Sequence, residues 1–133
     1  MSPKTALLFE DNDFYREVMT EVLLEKNFQV AAYTDPTAFL SQKAACCCAA
    51  SGPCADVMIT DNQMPGMTGL EFLEHVRARG CKLPNDSTAI ISGNWSKQDH
   101  AQALKLGCKI LHKPTSLDAI LDWLDEATST QPS

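Results

Sequence analysis

Val57-Met58-Ile59-Thr60-Asp61-Asn62-Gln63-Met64-Pro65-Gly66-Met67-Thr68-Gly69-Leu70 is the stretch on which the fold of this 133-residue chain turns. Residues 57–60 are apolar or β-branched and carry no charge, the mark of a strand buried on both faces. Asp61 follows directly. Pro65 and Gly66 are turn formers, and Gly69 lets the backbone enter a helix. The period then changes. Leu70, Leu73 and Val76 recur at helical spacing, and Arg77, Arg79 and Gly80 supply a basic last turn and a stop. Within one stretch the chain reads strand, acid, tight turn, amphipathic helix.

The same unit recurs on both sides. Short apolar runs predict strands over 5–9, 28–32, 88–91 and 109–111. Tyr15, Val18, Met19, Val22 and Leu23 form one helical stripe, with Asn12 or Asp13 as N-cap. Ala101, Leu104 and Lys105 form another, stopped by Gly107, and Leu117, Ile120, Leu121 and Leu124 a third, with Ser116 as cap. Residues 36–48 read as a helix with a weaker stripe in Phe39 and Leu40, and the small residues of 49–53 as the loop back to the sheet. Five β-α units imply an α/β fold, because right-handed crossovers cover both faces of a parallel sheet with helices. One domain over 1–128 and a polar tail over 129–133 account for the chain. In such sheets a site forms at the carboxyl ends of the strands, near the point where strand order reverses.

Composition narrows the classes further. Hydrophobic residues make up 44% and charged residues 21%, as in a globular fold. No apolar run reaches the ~20 residues of a membrane span, and Glu10 and Asp11 interrupt the N-terminal run too early for a secretory signal. A cytoplasmic location is the expectation. The net charge of −6 disfavours a nucleic-acid backbone as partner and suits carboxylates gathered around a divalent cation. Of the six cysteines, Cys46, Cys47 and Cys48 are consecutive, a poor geometry for bridging one another. With Cys54 they match no C-x-x-C metal pair, so they read as reduced thiols.

At the strand ends stand Glu10 and Asp11, then Asp61, Ser92, and Lys113 with Pro114. Each alone is ordinary: a cap, a turn, a loop. Together they place three carboxylates, a hydroxyl and an ammonium on one rim. Crowded carboxylates raise one another's pKa unless a cation neutralises them, and a hard ion such as Mg²⁺ takes oxygen ligands. A carboxylate so placed can attack phosphorus, with lysine and hydroxyl serving the equatorial oxygens.

Four segments carry a likeness that covers nearly the whole chain: Leu7-Leu8-Phe9-Glu10-Asp11-Asn12-Asp13, the run Ile59 through Leu70, Ala89-Ile90-Ile91-Ser92-Gly93, and His112-Lys113-Pro114. The chain resembles the receiver domain of two-component response regulators, and Met64-Pro65-Gly66-Met67-Thr68-Gly69 is the most specific part of the match. The resemblance implies a doubly wound (βα)5 sheet of flavodoxin-like order 2-1-3-4-5. It implies that Asp61 accepts a phosphoryl group from a histidine kinase or phosphotransfer protein. Mg²⁺ would be held by Asp11, Asp61, the backbone carbonyl of Gln63 and, through water, Glu10. Ser92 matches the switch hydroxyl, with small Gly93 leaving its approach open. Lys113 matches the partner of the phosphorylated carboxylate, ahead of a cis bond to Pro114. Self-phosphorylation, self-dephosphorylation and a downstream protein effector are implied too, with no direct nucleic-acid or membrane contact; homodimerisation stays open.

Several positions depart from the pattern. Ile110 stands where the family commonly has an aromatic that reports the hydroxyl's movement to the output face. Glu10 replaces the commoner aspartate, and Gln63 and Asn94 bring amides beside the phosphoryl position, able to orient or obstruct the hydrolytic water. The cysteine-rich loop is longer than usual. Trp95, His100, Ile110 and Trp123 are candidate partner contacts, the tryptophans equally candidates for the core. No DNA-binding domain falls within these residues, which fits a stand-alone regulator or a receiver belonging to a longer protein. Two alternatives fit parts of the pattern. A haloacid-dehalogenase-like phosphatase would use Asp11 as nucleophile and Asp13 as acid, but leaves residues 61–69 unexplained. A pseudo-receiver would bind a partner without phosphorylation, despite a complete set of site residues.

Overall fold

The computed structural model describes residues 4–34, 55–64, 66–78, 87–113 and 117–129. They form five strands, β1 (Lys4–Phe9), β2 (Phe28–Tyr33), β3 (Val57–Asp61), β4 (Thr88–Ser92) and β5 (Lys109–His112). Four helices accompany them: α1 (Asp13–Glu25), α2 (Gly69–Ala78), α3 (Lys97–Leu106) and α4 (Leu117–Ser129). The helix expected over 36–48, the loop over 49–53, Cys46, Cys47, Cys48, Cys54, Pro65, Gly80, Pro114 and Ser116 lie outside the described residues.

All pairings are parallel and the order is β2-β1-β3-β4-β5, the order the resemblance implied. β3 and β4 are buried at every position, as central strands covered on both faces must be. Side chains alternate across the sheet with period 2, and the core divides accordingly. Ala6, Leu8, Val57, Ile59, Ala89, Ile91 and Leu111 face α1 and α4, against Met19, Val22, Leu23, Ile120, Trp123 and Leu124. Leu7, Phe9, Met58 and Ile90 face α2 and α3, against Leu70, Phe72, Leu73, Val76 and Ala103. Each large side chain so buried contributes about 1.5–3 kcal/mol relative to exposure.

The helix ends follow from local chemistry. The Asn12 side chain caps α1 by accepting the Tyr15 N–H at 3.1 Å, which settles the choice between Asn12 and Asp13. Thr68 and Glu71 cap α2 reciprocally, each side chain accepting the other's backbone N–H. Ser96 caps α3, and Gly107 ends it in the left-handed region at φ 78°.

Two expectations shift. Strands 2 to 5 each run one residue further than expected, because the ladder continues through Phe9↔Tyr33, Asp61↔Ile91 and Ser92↔His112. Asp61 and Ser92 therefore belong to the rigid ladder itself. The stripe expected on α3 is also rotated: Ala101 and Lys105 are exposed and Leu104 is 62% exposed, while Ala103 is buried and Leu106 packs against the core. The inward face has to be small here because α3 lies close to α2, joined by hydrogen bonds from Arg77 to the Leu106 carbonyl and from Gln102 to Glu74.

Candidate functional site

The period that builds the core also builds the site. Leu8, Ile59 and Leu111 share the α1/α4 face, and two residues beyond them stand Glu10, Asp61 and Lys113. The alternation therefore delivers two carboxylates and an ammonium to one side of the rim, at the β1/β3 position where strand order reverses. Lys113 Nζ lies 3.0 Å from Glu10 Oε1 and 3.0 Å from Asp61 Oδ2. Glu10 is 1% and the Asp61 side chain 4% exposed, so the acidic side of this bridge is buried, while Lys113 keeps 18% of its side chain exposed. Asp11 is exposed, yet oxygens of Glu10, Asp11 and Asp61 all fall within 4.8 Å of one another.

The neighbours fix each group. Asp61 Oδ1 accepts the Gln63 backbone N–H at 3.1 Å. Glu10 Oε2 accepts the Asn12 N–H at 3.1 Å, and Arg16 donates to the Glu10 carbonyl at 3.1 Å. The Lys113 ammonium also sits over the Tyr15 ring, 4.5 Å from its centroid. Gly69 approaches so closely that a Cβ would stand 2.6 Å from the Asp61 carbonyl oxygen. Only glycine leaves room at that point, which ties the start of α2 to the acid.

Three carboxylates against one ammonium leave the pocket short of positive charge. Burial pushes the Glu10 carboxyl up to about 7, the Asp61 carboxyl beside it adds to the rise, and the Asn12 N–H and Lys113 oppose it. Burial alone would lower the Lys113 pKa, but its hydrogen bonds to Asp61 and Glu10 outweigh that and the net direction is upward. Lys113 therefore stays an ammonium. All-oxygen donors in a cluster with excess negative charge match a hard divalent cation.

Ser92 is fully buried and follows the other parity, on the side of Ile90. Its Oγ accepts the Asn94 N–H at 3.1 Å, so it is held by its own loop, while Lys113 bridges Glu10 and Asp61. Gly93 leaves open space, a Cβ there meeting Lys113 Cβ at an ordinary 3.6 Å. Ile110 is half-buried, packed against the α2/α3 core. Of the tryptophans, Trp123 is core at 3% exposure, whereas Trp95 is half-buried and donates its indole N–H to the Leu111 carbonyl at 2.9 Å. His100 and His112 flank Trp95 edge-on, at 6.4 and 6.3 Å between centroids.

Sequence reasoning missed Tyr15 and Asn62 as parts of the site. Tyr15 falls within a helical stripe that reads as core, and nothing in the local sequence places Lys113 over it. Asn62 sits in a run rich in turn formers, which hides the fact that it is buried.

The chain belongs to the response regulator receiver domain family, whose model matches residues 6–125. Among relatives, the protein named Regulator of RpoS from Escherichia coli (strain K12) is 45% identical over 60 residues, covering 44% of this chain and 17% of its own length. The transcriptional regulatory protein FixJ of Azorhizobium caulinodans is 29% identical over 117 residues, covering 86% of this chain and 50% of its own length. The chain thus spans half or less of these relatives. The solved structure titled FixJ-N shares the fold at a TM-score of 0.75 and 22% identity, covering 100% of this chain and 99% of that one.

Proposed function

We propose that this domain is a phosphorylation switch in which Asp61 accepts a phosphoryl group from a histidine kinase or phosphotransfer protein and passes the signal to a protein effector. The observation that carries this reading is the part-buried Lys113 bridge, 3.0 Å from both Glu10 and Asp61, beside the exposed carboxylate of Asp11. An Asp61 oxygen forms the bond to phosphorus as the donor's bond to phosphorus breaks, and the leaving group departs on the opposite side. Lys113 stays paired with the modified carboxylate and neutralises its new charge. Mg²⁺ is the ion we assign to Glu10, Asp11, Asp61 and the Gln63 carbonyl, and when bound it supplies positive charge to the phosphoryl oxygens. Ser92 turns from Asn94 toward the phosphoryl group, and the β4–α3 loop moves with it. Gln63 and Asn94 set how readily water reaches the acyl phosphate. A cytoplasmic location fits this role, and no helix among the described residues is long and apolar enough to cross a membrane.

The phosphatase alternative has less support, since the carboxylate of Asp13, its acid, is 86% exposed and paired with Arg16 at 2.6 Å. Incubation with acetyl phosphate and Mg²⁺ tests the proposal. We expect alkali-labile phosphate on the parent and none on Asp61→Asn or in the presence of chelator; equal labelling of Asp61→Asn contradicts it.

A further inference from the structure

Directly after Asp61, Asn62 is a polar side chain only 3% exposed. Every hydrogen-bonding group it owns is engaged. Its backbone N–H donates to the Ile91 carbonyl at 2.9 Å, and its own carbonyl accepts the Gly69 N–H at 3.0 Å. Its side-chain Oδ1 accepts the Leu70 N–H in the first turn of α2 at 3.1 Å. Its Nδ2 donates to Asp99 Oδ2 in the first turn of α3 at 3.4 Å. Leu70 offers only a donor and the Asp99 carboxylate only acceptors, so a single orientation of the amide serves both. Asp99 is itself fixed, its N–H donating to Ser96 Oγ at 3.0 Å.

We infer that Asn62 is a positioning residue for Asp61: its amide ties the end of β3 to the starts of α2 and α3 and so aims the neighbouring carboxylate for phosphoryl transfer. The inference rests on the function proposed above and extends it to a residue outside the acid cluster. A leucine or methionine would fill the same space with no demand for partners, whereas a buried amide is tolerated only where partners meet it. The two it meets are the helix that Gly69 seats against Asp61 and the helix that follows the Ser92 loop. The lock therefore joins the acid to both neighbouring elements at once.

An exchange of the two side chains tests this. Asn62→Asp keeps the acceptor for Leu70 but sets a carboxylate against Asp99. Asp99→Asn, added to it, restores one donor and one acceptor and returns the net charge to that of the parent. The rate of acyl phosphate formation from acetyl phosphate at saturating Mg²⁺ is compared in parent, both single variants and the double variant, with thermal unfolding recorded for each. Asn62→Asp is expected to slow phosphorylation on the order of tenfold, less than the roughly 100-fold that a 1 Å misplacement can cost. The double variant is expected to recover to within about threefold of the parent, as coupled side chains do. A double variant whose loss is the product of the two single losses overturns the inference, as does Asn62→Asp at the parental rate. Changed unfolding with unchanged rates overturns it too, by reducing Asn62 to a structural role. A parent that takes no label on Asp61 fails the proposed function itself, and this inference with it, which separates the two failures.

Discussion

A buried carboxyl that shares one ammonium with a second carboxyl, as Glu10 does, holds its proton up to about pH 7. The folded value lies above the 4.5 of a free glutamate, so the folded state binds that proton more tightly than the unfolded chain. The resulting stability is full below about pH 4.5 and is lost as pH rises through 7. In chelator, urea unfolding should therefore lose on the order of 3 kcal/mol across that window, and Glu10→Gln should flatten the loss. A parental profile as flat as that of the variant would refute the charge balance described here. Adding Mg²⁺ should restore stability at the alkaline end, since the cation takes the place of the proton. At this scale the sequence was informative wherever a side chain's direction follows from the strand before it. Glu10, Asp61 and Lys113 converge because each stands two residues past a core residue on the same face, and period 2 is readable from the letters alone. Asn62 and Tyr15 were not legible, because their partners, Asp99 and Lys113, lie far along the chain.

Among the elements, α3 shows where hydrophobicity misleads. Leu104 invited a stripe that the structure turns outward, and the helix instead packs through Ala103 and Leu106. Ten residues between a Ser96 cap and a Gly107 stop hold too few apolar side chains to fix a phase by pattern. Its closeness to α2 decides it. Leu104→Ala should consequently leave stability within about 0.5 kcal/mol of the parent. Ala103→Leu should cost about 1–3 kcal/mol by overpacking. Urea midpoints of the two variants check the rotation, and a large loss in Leu104→Ala with a neutral Ala103→Leu would restore the stripe read from the sequence. The strands, by contrast, were legible to within a residue at their ends, since each is a short apolar run between turn formers. Their extra residues come from partners in the ladder, which no single run can reveal.

Across the whole molecule, the sheet separates two cores and brings the rim of the site between them. The Glu10–Asp61–Lys113 cluster grows from the α1/α4 side, and Ser92 with its loop from the α2/α3 side. Hydrogen bonds join Ser92 to Asn94 on the way to α3, and join Asn62, next to Asp61, to Asp99 in the first turn of α3. Ile110 offers no aromatic ring to report it, and the half-buried Trp95, hydrogen-bonded to β5 at Leu111, stands in that region instead. The fate of the two tryptophans was not legible in the sequence, because either could cover core or surface; membership of the α1/α4 core places Trp123 inside. The proposed switch depends on which carboxylate takes the phosphoryl group. The most direct measurement treats protein labelled with acetyl phosphate and Mg²⁺ with borohydride, which reduces an aspartyl phosphate to homoserine, and maps the converted residue by peptide mass spectrometry. Homoserine is expected at position 61; conversion at Asp11, or at no aspartate in a fully Mg²⁺-loaded sample, would contradict the role proposed for Asp61.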